Sequence, residues 1–220
     1  MSNILTTHVG SLPRSKELSE FLFAKDKGEK FSQSSFDEVL KNNVESVVKR
    51  QLDVGIDFVS DGEMSKISYA TYIKDRIDGF SGESERRAPA DLDDFPEYKE
   101  KIAKSGGTPT YTRPCCTNEL KVKDETSLLQ DINNFKNSLD KLNHRYAFMN
   151  SASPGVINVF MPNKFYSTED EYLDKLSNIM AKEYELITKS DIQVQLDCPD
   201  LALARHMNFK NLSEDEFIKR

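Results

Sequence analysis

Residues 51–63 read Gln51-Leu52-Asp53-Val54-Gly55-Ile56-Asp57-Phe58-Val59-Ser60-Asp61-Gly62-Glu63: the end of a helix, a tight turn, a short apolar strand and a polar loop. Upstream, Phe36, Val39, Leu40, Val44, Val47, Val48 and Leu52 recur at helical spacing and predict a helix over 36–54. Ser35 with Glu38 reads as its capping box, and Gly55 is placed to end it in the left-handed conformation. The run 56–59 then predicts a buried strand, closed by the Ser-Asp-Gly-Glu loop.

The same grammar recurs downstream. Leu128, Leu129, Ile132, Phe135, Leu139 and Leu142 share one face of a helix predicted over 125–142, followed by a strand at 145–149 and a turn at Ser153-Pro154-Gly155. Thr168 with Glu171 caps a third helix, which turns Tyr172, Leu176, Ile179, Met180 and Ile187 inward and leads to a strand at 192–196. That strand stops at Asp197-Cys198-Pro199-Asp200. Helices of this length between short strands indicate parallel βαβ units, hence an α/β fold. Two further strands, 5–9 before Gly10-Ser11 and 110–112 before Arg113-Pro114, bring the expected number to five. Residues 81–109, rich in Ser, Glu, Asp, Gly and Pro, read as a polar excursion inserted at a strand end. Leu201 to His206 reads as a helical turn, and 213–219 as a charged helix-like run.

Composition narrows the function. The 220 residues are 37% hydrophobic, 30% charged and 10% aromatic, and 37 acidic against 30 basic side chains give a formal charge of −7. A nucleic-acid partner calls for a basic face, which this balance argues against. No window approaches the roughly 18 apolar residues of a membrane span, and Met1 to Leu5 has none of the features of a signal peptide. A cytoplasmic location is therefore expected. Cys115, Cys116 and Cys198 are an odd number, two of them adjacent, which fits reduced thiols; the adjacent pair reads as packing and has no zinc-ligand spacing.

The unusual polar residues fall at strand ends. Gly10-Ser11, Glu63 and Asp197 each follow a predicted parallel strand, on the edge where α/β proteins build ligand sites. Asp and Gly also serve as ordinary turn and cap residues there, so each position alone has a purely structural reading. Taken together, a buried carboxylate at Glu63 calls for a cation such as an ammonium, and Asp197 is placed to face the same mouth. Gly10-Ser11 offers backbone N–H groups and a hydroxyl to a carboxylate. Ammonium plus carboxylate describes an amino acid. His8 and His206 are further candidates, each with scaffolding as the alternative, and His144 suits a helix C-terminus.

Thr6-Thr7-His8-Val9-Gly10-Ser11-Leu12-Pro13-Arg14 resembles the opening of the C-terminal catalytic barrel of the cobalamin-independent methionine synthase family, including its short single-barrel "methionine synthase II" type. Residues 51–57 with 60–63, Tyr69 to Phe80, and 194–202 resemble further segments of that family in the same order. The resemblance implies a (β/α)8 TIM barrel, of which residues 1–220 would supply about the first five strand-helix units. It implies a 5-methyltetrahydropteroyl(tri)glutamate–homocysteine S-methyltransferase, with methyl-folate as methyl donor and Zn2+ holding the homocysteine thiolate. By motif, Gly10 and Ser11 match the segment that binds the homocysteine carboxylate, and Glu63 and Asp197 match acidic residues at its amino end.

Two departures accompany the match: Thr110-Tyr111 stands where the full-length synthases carry an Arg-Cys pair associated with folate, and Cys198 stands where they carry an acidic residue. The family's zinc ligands lie beyond the matched segments, so no metal ligand is expected in this chain and the ligands are expected beyond Arg220, as in a fragment that lacks the zinc-ligand half. Such a partial barrel is expected to leave strand edges unpaired and to be inactive alone. Small-molecule substrates, no nucleic acid and no membrane complete the expectation. Two alternatives stay open: a zinc-dependent thiol-alkylating enzyme of the epoxyalkane–coenzyme M transferase type, and a non-catalytic amino-acid-binding remnant.

Overall fold

A computed structural model describes residues 4–84, 90–105, 111–123 and 125–219, apart from the side chains of 102–105. The elements are α1 (Lys16–Asp26), α2 (Gln33–Asp53), β1 (Phe58–Ser60), a 3-10 helix (Thr71–Asp75), β2 (Ile77–Ser81), a 3-10 helix (Ala90–Asp94), α3 (Pro96–Ser105) and β3 (Cys115–Val122). They continue with α4 (Thr126–Leu139), β4 (Tyr146–Ala152), α5 (Pro154–Phe160), α6 (Glu169–Lys189), β5 (Gln193–Asp197), α7 (Asp200–Met207) and α8 (Glu214–Ile218). No described helix is long and apolar enough to cross a membrane.

The sheet that positions the strand ends is parallel, in the order β1-β4-β5. The predicted strand 5–9 is reduced to one parallel bridge, Thr7 to Phe58, reinforced by the N–H groups of Asp57 and Phe58 donating to Thr6 O at 3.2 and 3.0 Å. The parallel order among the described residues is therefore four positions, not five. Thr110 lies outside the described residues; Tyr111 and Thr112 are not in a strand, and the chain enters β3 only at Cys115. That strand pairs antiparallel with β2 in a separate two-stranded sheet, with a register shift between Asp78 and Phe80. Gly79 sits at this irregularity with φ +107, and a Cβ there would meet the carbonyl oxygens of Asn118 and Glu119 at 2.9 Å, so only glycine fits. Of the excursion 81–109, the described parts hold the Ala90–Asp94 turn and α3.

Helix starts follow local chemistry. The α2 N-cap is Ser32, not Ser35: the Ser32 hydroxyl accepts from Ser35 N at 3.3 Å. The rings of Phe31 and Phe36 meet edge to face at 5.7 Å across this cap, a hydrophobic staple that places the first turn three residues earlier than the Ser-x-x-Glu pattern does. Gly55 ends the helix at φ +83, as expected. Thr168 caps α6 through Glu171 N at 3.1 Å, and Ser213 makes a full capping box at α8.

Alternation along the strands divides the two faces of the sheet. Val59, Ala147, Met149 and Val194 pack with Phe36, Leu40, Val44, Val48, Ile132 and Phe135 of α2 and α4 in one core. Phe58, Ser60, Tyr146, Phe148, Asn150, Gln195 and Asp197 fall on the other face, where the Phe58 and Tyr146 rings stack at 4.4 Å. A second core joins Tyr72, Ile73 and Ile77 to Leu120 of β3, Ile157 of α5 and Leu176 of α6.

Candidate functional site

The chain leaves β1 into Asp61-Gly62-Glu63. Gly62 has φ +65 and is crowded: a Cβ would lie 2.9 Å from Met64 Cε and 3.2 Å from Leu12 Cβ. Leu12 N donates to Gly62 O at 3.0 Å, which seats the 10–14 segment against this loop. Glu63 follows with φ 55, a left-handed conformation that a non-glycine residue adopts at a cost of order 1–3 kcal/mol and that clusters at functional sites.

Contacts from Ser11, Asp61, Arg14 and Lys66 hold Glu63 there. Ser11 Oγ donates to Glu63 Oε2 at 2.6 Å, and Glu63 N donates to Asp61 Oδ1 at 3.1 Å. Arg14 Nη2 donates to the carbonyl oxygens of Glu63 and Lys66, both at 2.7 Å, and to Ser11 Oγ at 3.3 Å. Glu63 is 1% exposed, yet its Oε1 is buried with no hydrogen-bond partner among the described residues. A carboxylate oxygen in that position is a strong acceptor without a donor. Burial lowers the Arg14 pKa, opposed by Glu63 and Asp61. Burial raises Asp61 to about 6, against the pull of Lys66 and the Glu63 N–H.

The other half of the mouth comes from β4 and β5. Their register sets Asn150 beside Gln195 and Ala152 beside Asp197, so Asn150 Nδ2 reaches both Asp197 oxygens, at 3.1 and 3.3 Å. Asn150 O in turn accepts from the buried Lys66 Nζ, which links the Glu63 loop to β4. Tyr69 joins the halves: burial raises its phenol to about 12, and Tyr111, Arg113, Asp197 and Glu63 all act on it electrostatically.

Behind the mouth lies a buried ionic cluster. Arg76 Nη1 donates to Glu183 Oε2 at 2.8 Å and its Nη2 donates to Asp131. Tyr72 Oη and Ser151 Oγ each donate to Glu183 Oε1 at 2.6 Å, Ser65 Oγ donates to Asp131 Oδ2 at 2.8 Å, and Lys66 Nζ lies 4.3 Å from the Tyr72 ring centroid. Burial raises the Glu183 pKa, but Arg76 and Lys66, with the Ser151 and Tyr72 hydroxyls, bring it below the ordinary range. This cluster fixes the relative placement of the loop after β1, α4, α6 and β4.

The structure brings Ser11 to Glu63, and Asp197 to Asn150. Gly10, next to Ser11 in the chain, adopts φ +80. The Ser11 hydroxyl is engaged by Glu63. His8 is exposed and lines a cleft of about 550 Å3 along α2 with Arg14, Asn43 and Arg50, and His206 sits in the last turn of α7. Neither histidine has a described hydrogen bond or ion pair to Glu63 or Asp197. Cys115 and Cys116 are buried in β3, where burial raises Cys116 to about 11. Among the described residues no three His, Cys, Asp or Glu side chains come together as a metal site. Sequence reasoning missed Asn150, Lys66 and Arg14. It also missed the ionic cluster, although Asp131 and Glu183 occupy the apolar stripes of α4 and α6, a signal that helical periodicity contains.

Residues 4–89 match the family described as cobalamin-independent synthase, catalytic domain. The methionine synthase of Sulfolobus acidocaldarius is 26% identical over 195 residues, which cover 88% of this chain and 51% of that protein. The 5-methyltetrahydropteroyltriglutamate–homocysteine methyltransferase of Bifidobacterium adolescentis is 31% identical over 75 residues, 34% of this chain and 10% of that enzyme. Among solved structures, a B12-independent methionine synthase from Shewanella sp. W3-18-1, in complex with selenomethionine, superposes with a TM-score of 0.65 at 15% identity, covering 89% of this chain and 52% of its own. This chain spans about half the length of the Sulfolobus and Shewanella proteins.

Proposed function

We propose that this chain, a relative of the cobalamin-independent methionine synthases and so of a methyltransferase family, forms the homocysteine-binding part of a (β/α)8 catalytic barrel. The observation that carries the reading is the buried, unpartnered Oε1 of Glu63, held in a left-handed loop at the mouth of a parallel sheet. An ammonium group satisfies that oxygen, because a cation with several N–H donors supplies what a desolvated carboxylate lacks. Asp197, oriented by Asn150, is the second acceptor across the mouth.

In the reaction this reading implies, the homocysteine thiol loses its proton, its sulfur forms a bond to the methyl carbon of a methyl-folate as the donor's N–CH3 bond breaks, and the demethylated folate nitrogen takes up a proton, giving methionine and the tetrahydrofolate. Glu63 and Asp197 hold the amino end so that the sulfur is presented in one orientation. Arg14 and Lys66 keep the two carboxylates placed by fixing the backbone on either side. The described residues do not fit a zinc site, so no step is assigned to the metal that the resemblance implies. Small-molecule substrates and a cytoplasmic setting belong to the same reading.

Calorimetric titration with homocysteine tests it. Glu63→Gln keeps the shape and the Ser11 contact but removes the charge, and is expected to weaken binding about tenfold to a hundredfold. Unchanged affinity in the variant contradicts the role of Glu63.

A further inference from the structure

Among the described residues the parallel sheet has two open edges. β5 pairs only with β4, and the segment 5–9 pairs, through Thr7, only with β1. Ile4, Leu5 and Val9 are exposed along the first edge, and Leu196 and Leu201 in and just after β5. Open edges with apolar side chains are templates for further strands. Between them lie four parallel positions, half of the eight with which a (β/α)8 barrel closes.

The register tells how such edges could meet. Thr7 stands beside Phe58, Ser60 beside Phe148, and Phe148 beside Gln193. Continuing the Thr7–Phe58 register by two residues sets Val9 level with Ser60, so one rung runs Val9, Ser60, Phe148, Gln193. Closure of a (β/α)8 barrel requires a total stagger of about eight residues, hence about four for each half of a twofold-symmetric one. A shift of four sets Gln193 against Leu5 of a second copy, Gln195 against Thr7 and Asp197 against Val9. The two open edges then overlap end to end. The opposite shift sets Gln193 against Pro13, in the loop that Leu12 seats on Gly62. An even shift also keeps inward side chains inward across the seam.

Charge agrees with this pairing. The cleft between the 8–15 segment and α2 is lined by His8, Arg14 and Arg50 and by no acidic side chain among the described residues. The helices that follow β5 carry acidic first turns, with Asp200 in α7 and Glu214, Asp215 and Glu216 in α8. A right-handed crossover from β5 places those helices over the next strand in the order, which brings acidic turns to the basic cleft of the second copy.

We infer that the two open edges pair with each other across a twofold axis, so that a second copy of this chain closes the barrel. The contact is head-to-tail and ends at two members, because four strands of eight turn through half the circle. Resting on the proposed (β/α)8 barrel, this pairing adds what fills its other half, and it gives the mouth Glu63 and Asp197 from both copies.

Sedimentation equilibrium on the chain is expected to give twice the chain mass. Val9→Lys and Leu196→Lys, at exposed positions that the fold of one copy does not need, are each expected to raise the dimer dissociation constant at least about tenfold with an unchanged circular dichroism spectrum. Cross-linking tests the register, in a Cys198→Ser background oxidised with copper phenanthroline. Leu5→Cys with Gln193→Cys is expected to give a covalent dimer, whereas Leu5→Cys with Leu196→Cys, about 10 Å out of register, is not. Within one copy the two edges are three strand spacings apart, about 14 Å, too far for a disulfide.

A monomer at every concentration, assemblies that grow without limit, a dimer that neither lysine variant weakens, or cross-linking through Leu196→Cys in place of Gln193→Cys overturns the inference. Homocysteine calorimetry on the same samples separates it from the amino-acid site. An edge-dependent dimer that ignores homocysteine upholds the closure and fails the site, and a monomer that binds homocysteine does the reverse.

Discussion

Replacing Arg76 with methionine lowers the unfolding free energy by about 3–5 kcal/mol, the scale expected when one partner of a buried ion cluster is removed. Arg76 is 8% exposed and donates to Asp131 of α4 and Glu183 of α6, both carboxylates being equally buried. Burial alone would lower the Arg76 pKa, but Glu183 and Asp131 outweigh it and raise the value. Without the guanidinium, the buried carboxylates of Asp131 and Glu183 lose the charged donor they share and keep the hydroxyls of Tyr72, Ser151 and Ser65, with Lys66 acting on Glu183 electrostatically. Urea denaturation measures the effect as a fall in midpoint at constant slope. A loss under about 1 kcal/mol means that water reaches the cluster. Replacing Asp131 and Glu183 with leucine together with Arg76→Met is expected to recover most of the loss, since no charge is then stranded.

Asp61 gives the second large effect, seen in pH dependence. Burial raises its pKa from 3.8 to about 6 in the folded chain. Between about pH 4 and pH 6 the unfolded chain has released this proton while the folded chain still holds it, so the folded state binds more protons. Stability from this group is therefore present at low pH, falls as pH rises through that window, and is lost above it. Asp61→Asn removes the titration and still lets an amide oxygen accept from Glu63 N. The variant's stability relative to wild type is expected to rise by up to about 3 kcal/mol from pH 4 to pH 7. Carboxylates with lowered pKa values, such as Asp75 and Glu183, act in the opposite direction but are common to both proteins and cancel in the difference. A difference that stays constant across the range contradicts a raised pKa at Asp61.

Much of the fold was legible because its signals are local. The α6 cap at Thr168, the Gly55 stop and the apolar stripes of α2, α4 and α6 follow from side-chain spacing and backbone freedom alone. Elsewhere two local rules competed. At α2, a run of serines offered several caps, and the Phe31–Phe36 staple selected Ser32. Ser153-Pro154-Gly155 has turn composition, yet Ser153 caps α5 with proline in its first turn, where the missing N–H costs no helical bond. The α1 helix, capped by Ser15 through Leu18 N at 3.1 Å, went unread beside the loop motif that precedes it.

The β2–β3 pair was hidden for a different reason. Polar Asn118, Glu119 and Lys121 break the alternation of β3, and Gly79 interrupts β2, so its stability comes from pairing and from the second core. At the site, Ser11, Glu63 and Asp197 were legible as polar residues after strands. Asn150 was not, because it lies inside a strand and acquires its role only when the β4–β5 register brings it to Asp197.

The strand ends of this chain are proposed to bind an amino acid through Glu63. A crystal structure of the chain with homocysteine tests it most directly. The ammonium nitrogen is expected at about 2.7–2.9 Å from Glu63 Oε1, the oxygen that has no partner among the described residues. Homocysteine bound elsewhere, or with its amino group turned away from Glu63, contradicts this role of Glu63.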